Sequence, residues 1–178
     1  MTLNEKIKSL SKSELEKLVL KAAAKHTEFD TFLRLNYLVR EQTERDLFDK
    51  TISDIDVLMS KNYRGYANEL KLANMLAACN KRVTEFSKVC KNKKSEANLL
   101  MLLLDIPFKY ESTNSLGTCF TAYDYKVCLI LKKLITIVNS KLHPDYKIEY
   151  AESINKYLTI LHRCSSHNDF VYDLPKSI

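Results

Sequence analysis

Glycine and proline are scarce in this 178-residue chain, at 2 and 3 positions, and tryptophan is absent. Phosphate-binding loops need closely spaced glycines so that backbone N–H groups can approach the anion. With only Gly65 and Gly117, neither a Walker loop nor a Rossmann fingerprint can form, and the Gly-x-Ser-x-Gly elbow of serine hydrolases is excluded for the same reason. The chain also has no Glu-x-x-His, which removes the zincin and di-iron bundle patterns. Few glycines and prolines exclude collagen-like, linker-like and most turn-rich all-β chains.

Long apolar runs are missing as well. Ala97 to Leu104 is strongly apolar but far below the ~18 residues of a membrane span, and Val127 to Val138 is interrupted by Lys132 and Lys133. The first eight residues carry charges where an export signal needs its apolar stretch. The expected location is the cytoplasm, with no membrane partner. The five cysteines, Cys79, Cys90, Cys119, Cys128 and Cys164, are odd in number and show no Cys-x-x-Cys spacing. Reduced thiols acting as small hydrophobes fit them better than a disulfide framework.

What the chain has is helical periodicity throughout. Ser11 to Glu14 forms a capping box, and Leu15, Leu18, Val19, Ala22 and Ala23 follow on one apolar face. Thr27 is expected to cap a second helix reaching about Glu44, apolar on much of its circumference and therefore central. A third helix is expected from Asp46 to Lys61, with Glu41, Glu44, Asp46 and Asp49 around Arg40 and Arg45 as an ion-paired junction. A fourth follows Gly65 and breaks at Asn80. A short fifth carries Val83, Phe86 and Cys90. A sixth, capped by Ser95, ends before Pro107. The strongest stripe runs from Phe120 through Tyr123, Val127, Ile130, Leu131 and Leu134 to Val138, with Lys126, Lys132 and Lys133 pointing away. Ile154, Tyr157, Leu158 and Leu161 define the last long helix, which Pro144 opens, and Phe170, Val171 and Leu174 suggest a docking turn. The prediction is one all-α domain over residues 1–178. It has seven to nine helices packed as antiparallel αα-hairpins, in an orthogonal bundle or a short HEAT-like superhelix.

Ser9-Leu-Ser-Lys-Ser-Glu-Leu15, continued by Leu18, Val19 and Leu20 and then by Phe32-Leu33, resembles the opening of a family of small uncharacterised bacterial all-helical proteins. Their first helix reads LSKEEL. The segment from Leu72-Ala73 through Glu85-Phe86-Ser-Lys88 to Leu102-Leu103 is similar to that family's middle part. The tail departs, matching only at His167-Asn-Asp-Phe170. The family is a domain of unknown function, so the resemblance implies a fold and no catalytic residue.

Three clusters carry potential chemistry. His162, Cys164, His167 and Asp169 are types that bind Zn²⁺, but their spacing fits no standard finger, and an ordinary helix end accounts for them. No metal or other cofactor is therefore expected. Lys81, Arg82, Lys88, Lys91, Lys93 and Lys94 form a basic face able to meet phosphates or an acidic partner, against which stands a solvated connector. Asn62-Tyr-Arg-Gly-Tyr66 mixes aromatics with arginine as single-strand binders do, although tyrosines more often pack a helix end. The net charge of +6 is modest and its signs are interspersed.

The resulting expectation is a non-catalytic helical scaffold or protein-interaction module whose partner is another protein or a second copy of itself. Nucleic-acid association through residues 81–94 is the alternative. An enzyme whose site is assembled from scattered residues is a third reading. Chelation should leave the melting temperature unchanged. A large drop, reversed by Zn²⁺ and abolished by His162→Ala with Cys164→Ala, would instead establish the C-terminal ligand set.

Overall fold

The computed structural model describes residues 2–38, 40–65, 68–110, 122–165 and 168–178. Among them lie nine α-helices, one π-helical turn and no strand, so the fold is all-α. The chain divides into two compact units, Met1–Leu47 and Phe48–Ile178, and the division falls within the fourth helix. Val39, Tyr66, Gly117, Cys119, Phe120 and His167 lie outside the described residues, as do the side chains of Arg40 and Glu41.

The first unit holds α1 (Leu3–Lys8), α2 (Lys12–Lys25), α3 (Thr27–Tyr37) and the start of α4 (Arg40–Met59). The capping box at the head of α2 forms: the Ser11 and Glu14 backbone N–H groups each donate to the other residue's side chain, at 2.8 and 3.3 Å. Thr2 and Glu5 make a second box that opens α1. Helices α2 and α3 pack as a hairpin about His26, which ends one and starts the other without a side-chain cap, so Thr27 is inside α3. Two further expectations fail here. Helix α3 stops at Tyr37 with no glycine or proline to mark the bend at Leu38, and α4 then runs unbroken past Asp46. Nor is α3 central: Leu35 is its one buried residue, and α2 has none.

The second unit is built around α7 (Ala122–Ser140), against which α5 (Asn68–Val89), α6 (Lys93–Asp105), α8 (Pro144–Cys164) and α9 (Asn168–Tyr172) all pack. Tyr123, Val127, Cys128, Ile130, Leu131, Leu134, Ile135, Ile137 and Val138 are buried, which leaves only Leu129, Lys132 and Thr136 exposed between Tyr123 and Val138. A helix buried on nearly all sides is the hub of a bundle. Helix α6 supplies Ala97, Leu99, Leu100, Leu103 and Leu104, and α8 supplies Ile154, Leu158 and Leu161. Each such aliphatic side chain removed from water contributes roughly 1.5–3 kcal/mol. Val171 and Leu174 are buried at the docking turn, as the pattern suggested.

Local signals misplace three boundaries in this unit. Helix α5 continues through Asn80 as a single helix to Val89, because burial of Ala73, Leu76, Cys79, Val83 and Phe86 along one face outweighs one poor helix former. Asn92, not Ser95, caps α6: its extended backbone lets Oδ1 accept from the Lys94 and Ser95 N–H groups at 3.1 and 3.2 Å. The chain does not leave helical geometry before Pro107 but passes into a π-helical turn over Ile106–Tyr110. Gly65 does serve as a breaker. A Cβ there would lie 3.0 Å from the Lys71 backbone nitrogen and 3.1 Å from Leu70 Cβ.

Helices α6 and α8 are joined by a set of long polar side chains. Tyr150 donates to Asn98 Oδ1 at 2.6 Å, Tyr157 donates to Asp105 Oδ1 at 2.8 Å, and Lys94 Nζ sits 3.9 Å above the Tyr146 ring. The hydrogen-bonded pairs are both 52 residues apart, so the two helices run parallel in a fixed register. The Tyr157 ring also stacks on Phe108, with centroids 4.3 Å apart. Leu131→Ala or Leu134→Ala should cost ~2–5 kcal/mol through lost transfer energy and a cavity. A denaturation midpoint left in place by either change would contradict their central position.

Candidate functional site

The six basic residues at positions 81–94 do not form one open face. Lys81, Arg82 and Lys88 lie on α5, Lys91 lies in the connector, and Lys93 and Lys94 lie in the first turn of α6. Half of them meet carboxylates. Arg82 pairs with Glu85 at 2.8 Å and lies 4.0 Å from Asp54. Lys94 reaches Glu149 of α8 at 3.1 Å. Lys93 reaches Glu96 at 2.6 Å. The Lys91 ammonium donates to the Lys88 carbonyl at 3.4 Å. Charge committed to internal pairs is not displayed to a phosphate backbone.

Glu96 is a buried carboxylate, and it takes a second lysine that the sequence pattern placed away from the core. Lys133 of α7 lies 2.9 Å from its other oxygen. The two lysine side chains keep 36% and 34% of their surface in water, whereas the Glu96 side chain keeps 3%. This asymmetry is what makes the arrangement tolerable: the lysine stems lie along apolar surface while their heads stay near solvent. Burial pushes the Glu96 carboxyl upward, but the hydrogen bonds and charges of Lys93 and Lys133 outweigh it and hold it below the usual range. Its place in the first turn of α6 adds the favourable end of the helix dipole. Asp124, in the first turn of α7, is buried in the same way and accepts from Ser165 Oγ at 2.6 Å.

The buried thiols Cys79 and Cys128 and the phenols Tyr150 and Tyr157 are quenched rather than activated. Burial pushes the Cys79 thiol up to about 11 and the Cys128 thiol up to about 12, with the carboxylates of Asp56 and Asp124 respectively adding to the shift. Burial likewise raises Tyr150 to about 12 and raises Tyr157, where the hydrogen bond to Asp105 adds. A thiol or phenol must lose its proton to attack, and these environments oppose that. Cys90 is buried too.

Of the C-terminal ligand types, His162, Cys164 and Asp169 lie among the described residues and His167 does not. His162 Nε2 meets the Pro175 carbonyl at 3.3 Å, which holds the tail against α8, and the Ile178 N–H donates to Asn155 Oδ1 at 2.9 Å. No group of three His, Cys, Asp or Glu able to hold a metal occurs among the described residues. In the Asn62–Tyr66 stretch, Tyr63 donates to the Leu58 carbonyl at 2.9 Å, and Asn74 Nδ2 donates to the Arg64 carbonyl at 3.0 Å. Tyr63 thus ties the turn back to the end of α4 through its hydroxyl.

Two features escaped the sequence reading. One is an open cleft of about 260 Å³ between α5 and α7, lined by Lys81 and Lys126 over Leu76 and Ile130. The other is the apolar surface left on the α2–α3 hairpin. Leu20, Phe32 and Leu38 are exposed by 69%, 49% and 64%, and Leu18 by 47%. Both were hidden because periodicity marks which residues are apolar and not which of them find cover.

No described helix is long and apolar enough to cross a membrane. The ion triad makes stability depend on acid. Because the folded pKa of Glu96 is depressed, its contribution is complete above the unfolded glutamate value of ~4.3. It is lost as pH falls through the lower folded value. Lys133→Met should cost ~1–3 kcal/mol at neutral pH, since it removes one partner from a buried carboxylate. Urea midpoints measured at pH 7 and at pH 3 check this: the gap between variant and parent should narrow in acid, and a constant gap would mean that Lys133 acts by packing alone. No family model matches this chain, and no similar curated protein or solved structure was found.

Proposed function

We propose that the protein is a non-catalytic helical module that binds protein through its α2–α3 hairpin. The observation that carries this reading is the exposure of Leu18 and Leu20 on α2, Phe32 on α3 and Leu38 just past the end of α3, in a hairpin that buries only Leu35. Exposed apolar residues grouped on one small unit mark an interaction surface more often than scattered single ones do. A unit as short as Met1–Leu47 also has too little interior to be robust by itself, so covering the hairpin would stabilise it. The resemblance of its LSKSEL helix to the bacterial family of unknown function belongs to the same reading and bears on fold only.

The internal pairing of Arg82, Lys93 and Lys94 favours this reading over nucleic-acid association through residues 81–94, for it takes half of that stretch's cations into ion pairs. The buried, unactivated cysteines and tyrosines favour it over an enzyme.

A second copy of the chain is the first partner to examine, because an isologous contact covers the same patch on both subunits. Sedimentation velocity over rising concentration should show association beyond the 20.7 kDa monomer. Leu20→Glu with Phe32→Glu should abolish that association and leave the helical circular dichroism spectrum unchanged, since both positions are exposed. A monomer at every concentration would remove self-association. Tight DNA or RNA binding at physiological salt, lost when Lys81, Lys88 and Lys91 become Glu, would replace the reading by the nucleic-acid alternative.

A further inference from the structure

We propose that the cleft between α5 and α7 is a binding site for a small amphipathic carboxylate, with its head between Lys81 and Lys126 and its apolar body against Ala77 and Leu129.

The cleft follows from two helix stripes. On α5, Ala77, Lys81 and Thr84 recur at helical spacing beside Leu76 and Asn80; on α7, Lys126 is followed by Leu129 and Ile130. Lys81 and Lys126 thus stand on opposite walls, the Lys126 ammonium 5.5 Å from the Tyr125 ring centroid. No Asp or Glu lines the cleft, and among the described residues neither lysine has a carboxylate partner. This separates them from Lys93, Lys94 and Lys133, all of which are spent on glutamates.

Asn80 also lines the α5 wall, in the middle of a long helix where asparagine is a poor choice. Its backbone carbonyl accepts from Thr84 Oγ1 at 2.9 Å. Two ammonium groups and no acid select an anion.

The floor decides which anion. Ala77 is partly exposed and Leu129 is 38% exposed, so these two offer aliphatic contact above the buried Leu76 and Ile130. A ligand that covers these residues gains from burying methylenes as well as from charge. Inorganic phosphate would gain nothing from the floor, and the cleft has neither a glycine-rich loop nor an arginine fork to replace its hydration. Nucleic acid would want an aromatic platform, and no aromatic lines the cleft. A volume of about 260 Å³ lies just under the range of drug-sized sites, which suits a short-chain acid. An aliphatic acid and the C-terminal carboxylate of an apolar peptide share this chemistry.

The test is a nitrogen-15 amide NMR titration of the full chain with octanoate, octanol, N-acetyl-leucine and inorganic phosphate in parallel. Octanoate should give saturable shifts confined to residues 76–84 and 126–130. Octanol, which lacks the anion, should bind at least about tenfold more weakly. Phosphate should produce no saturable change at the same concentration. Lys81→Gln and Lys126→Gln, both at solvent-reaching positions, should each weaken octanoate binding several-fold, and together by about tenfold or more, with the helical spectrum intact. N-acetyl-leucine binding more tightly than octanoate would identify a peptide C-terminus as the source of the carboxylate, and the reverse order would identify a free acid. Equal binding of octanol and octanoate, octanoate binding unaffected in the double variant, or no octanoate-induced shift up to ~10 mM would each overturn the proposal.

Discussion

Helix α7 has almost no surface of its own, and the larger unit is arranged to cover it. From Tyr123 to Val138 its circumference is claimed by α5, α6, α8 and α9, apart from a strip at Leu129, Lys132 and Thr136. A helix so enclosed cannot shift without disturbing four interfaces. Close packing converts that into rigidity, because interiors have few voids to absorb movement. The polar groups near it follow the same logic. Lys133 leaves α7 to meet Glu96, and Asp124 sits in its first turn and takes the Ser165 hydroxyl. Each buried carboxylate stands in the first turn of its helix and takes a donor from elsewhere in the bundle, Glu96 from mid-α7 and Asp124 from the residue that ends α8.

The two units differ in this respect. The Phe48–Ile178 unit buries large aliphatic and aromatic side chains to completion, whereas the Met1–Leu47 unit has capped, regular helices and one buried leucine. Local helix signals are as good in the hairpin as anywhere in the chain. Two capping boxes and an Asp30–Arg34 pair at 2.8 Å supply them. Helix formation and core formation are separate achievements, and here they part company within one chain.

That separation also explains what could be read from the residues alone. The α7 stripe, the Ser11 box, Pro144 at the head of α8 and the burial of Val171 and Leu174 were legible, since each rests on neighbours within a few turns. The break at Leu38 was not, because no local breaker marks it. The continuity of α5 through Asn80 was not either, because the packing that holds it comes from α6 and α7. Among the site residues, Lys93, Lys94 and Lys133 looked solvated because their partners, Glu96 and Glu149, had no sequence signal tying them to a lysine. Phe86 did fall on the buried side, as its place on one stripe with Val83 and Cys90 indicated. The cleft was invisible because Lys81 and Lys126 are remote in sequence and become neighbours only through helix pairing.

The 52-residue offset between α6 and α8 works as a ruler. Asn98 and Asp105 are seven residues apart, and so are Tyr150 and Tyr157, two turns along each helix. One residue inserted between the two tyrosines would turn everything after it by about 100°. Tyr157 would then swing off both Asp105 and the Phe108 ring while Tyr150 kept its asparagine. The contacts that hold these rungs therefore also set the number of residues between them, so helix length here is as much a packing variable as side-chain size.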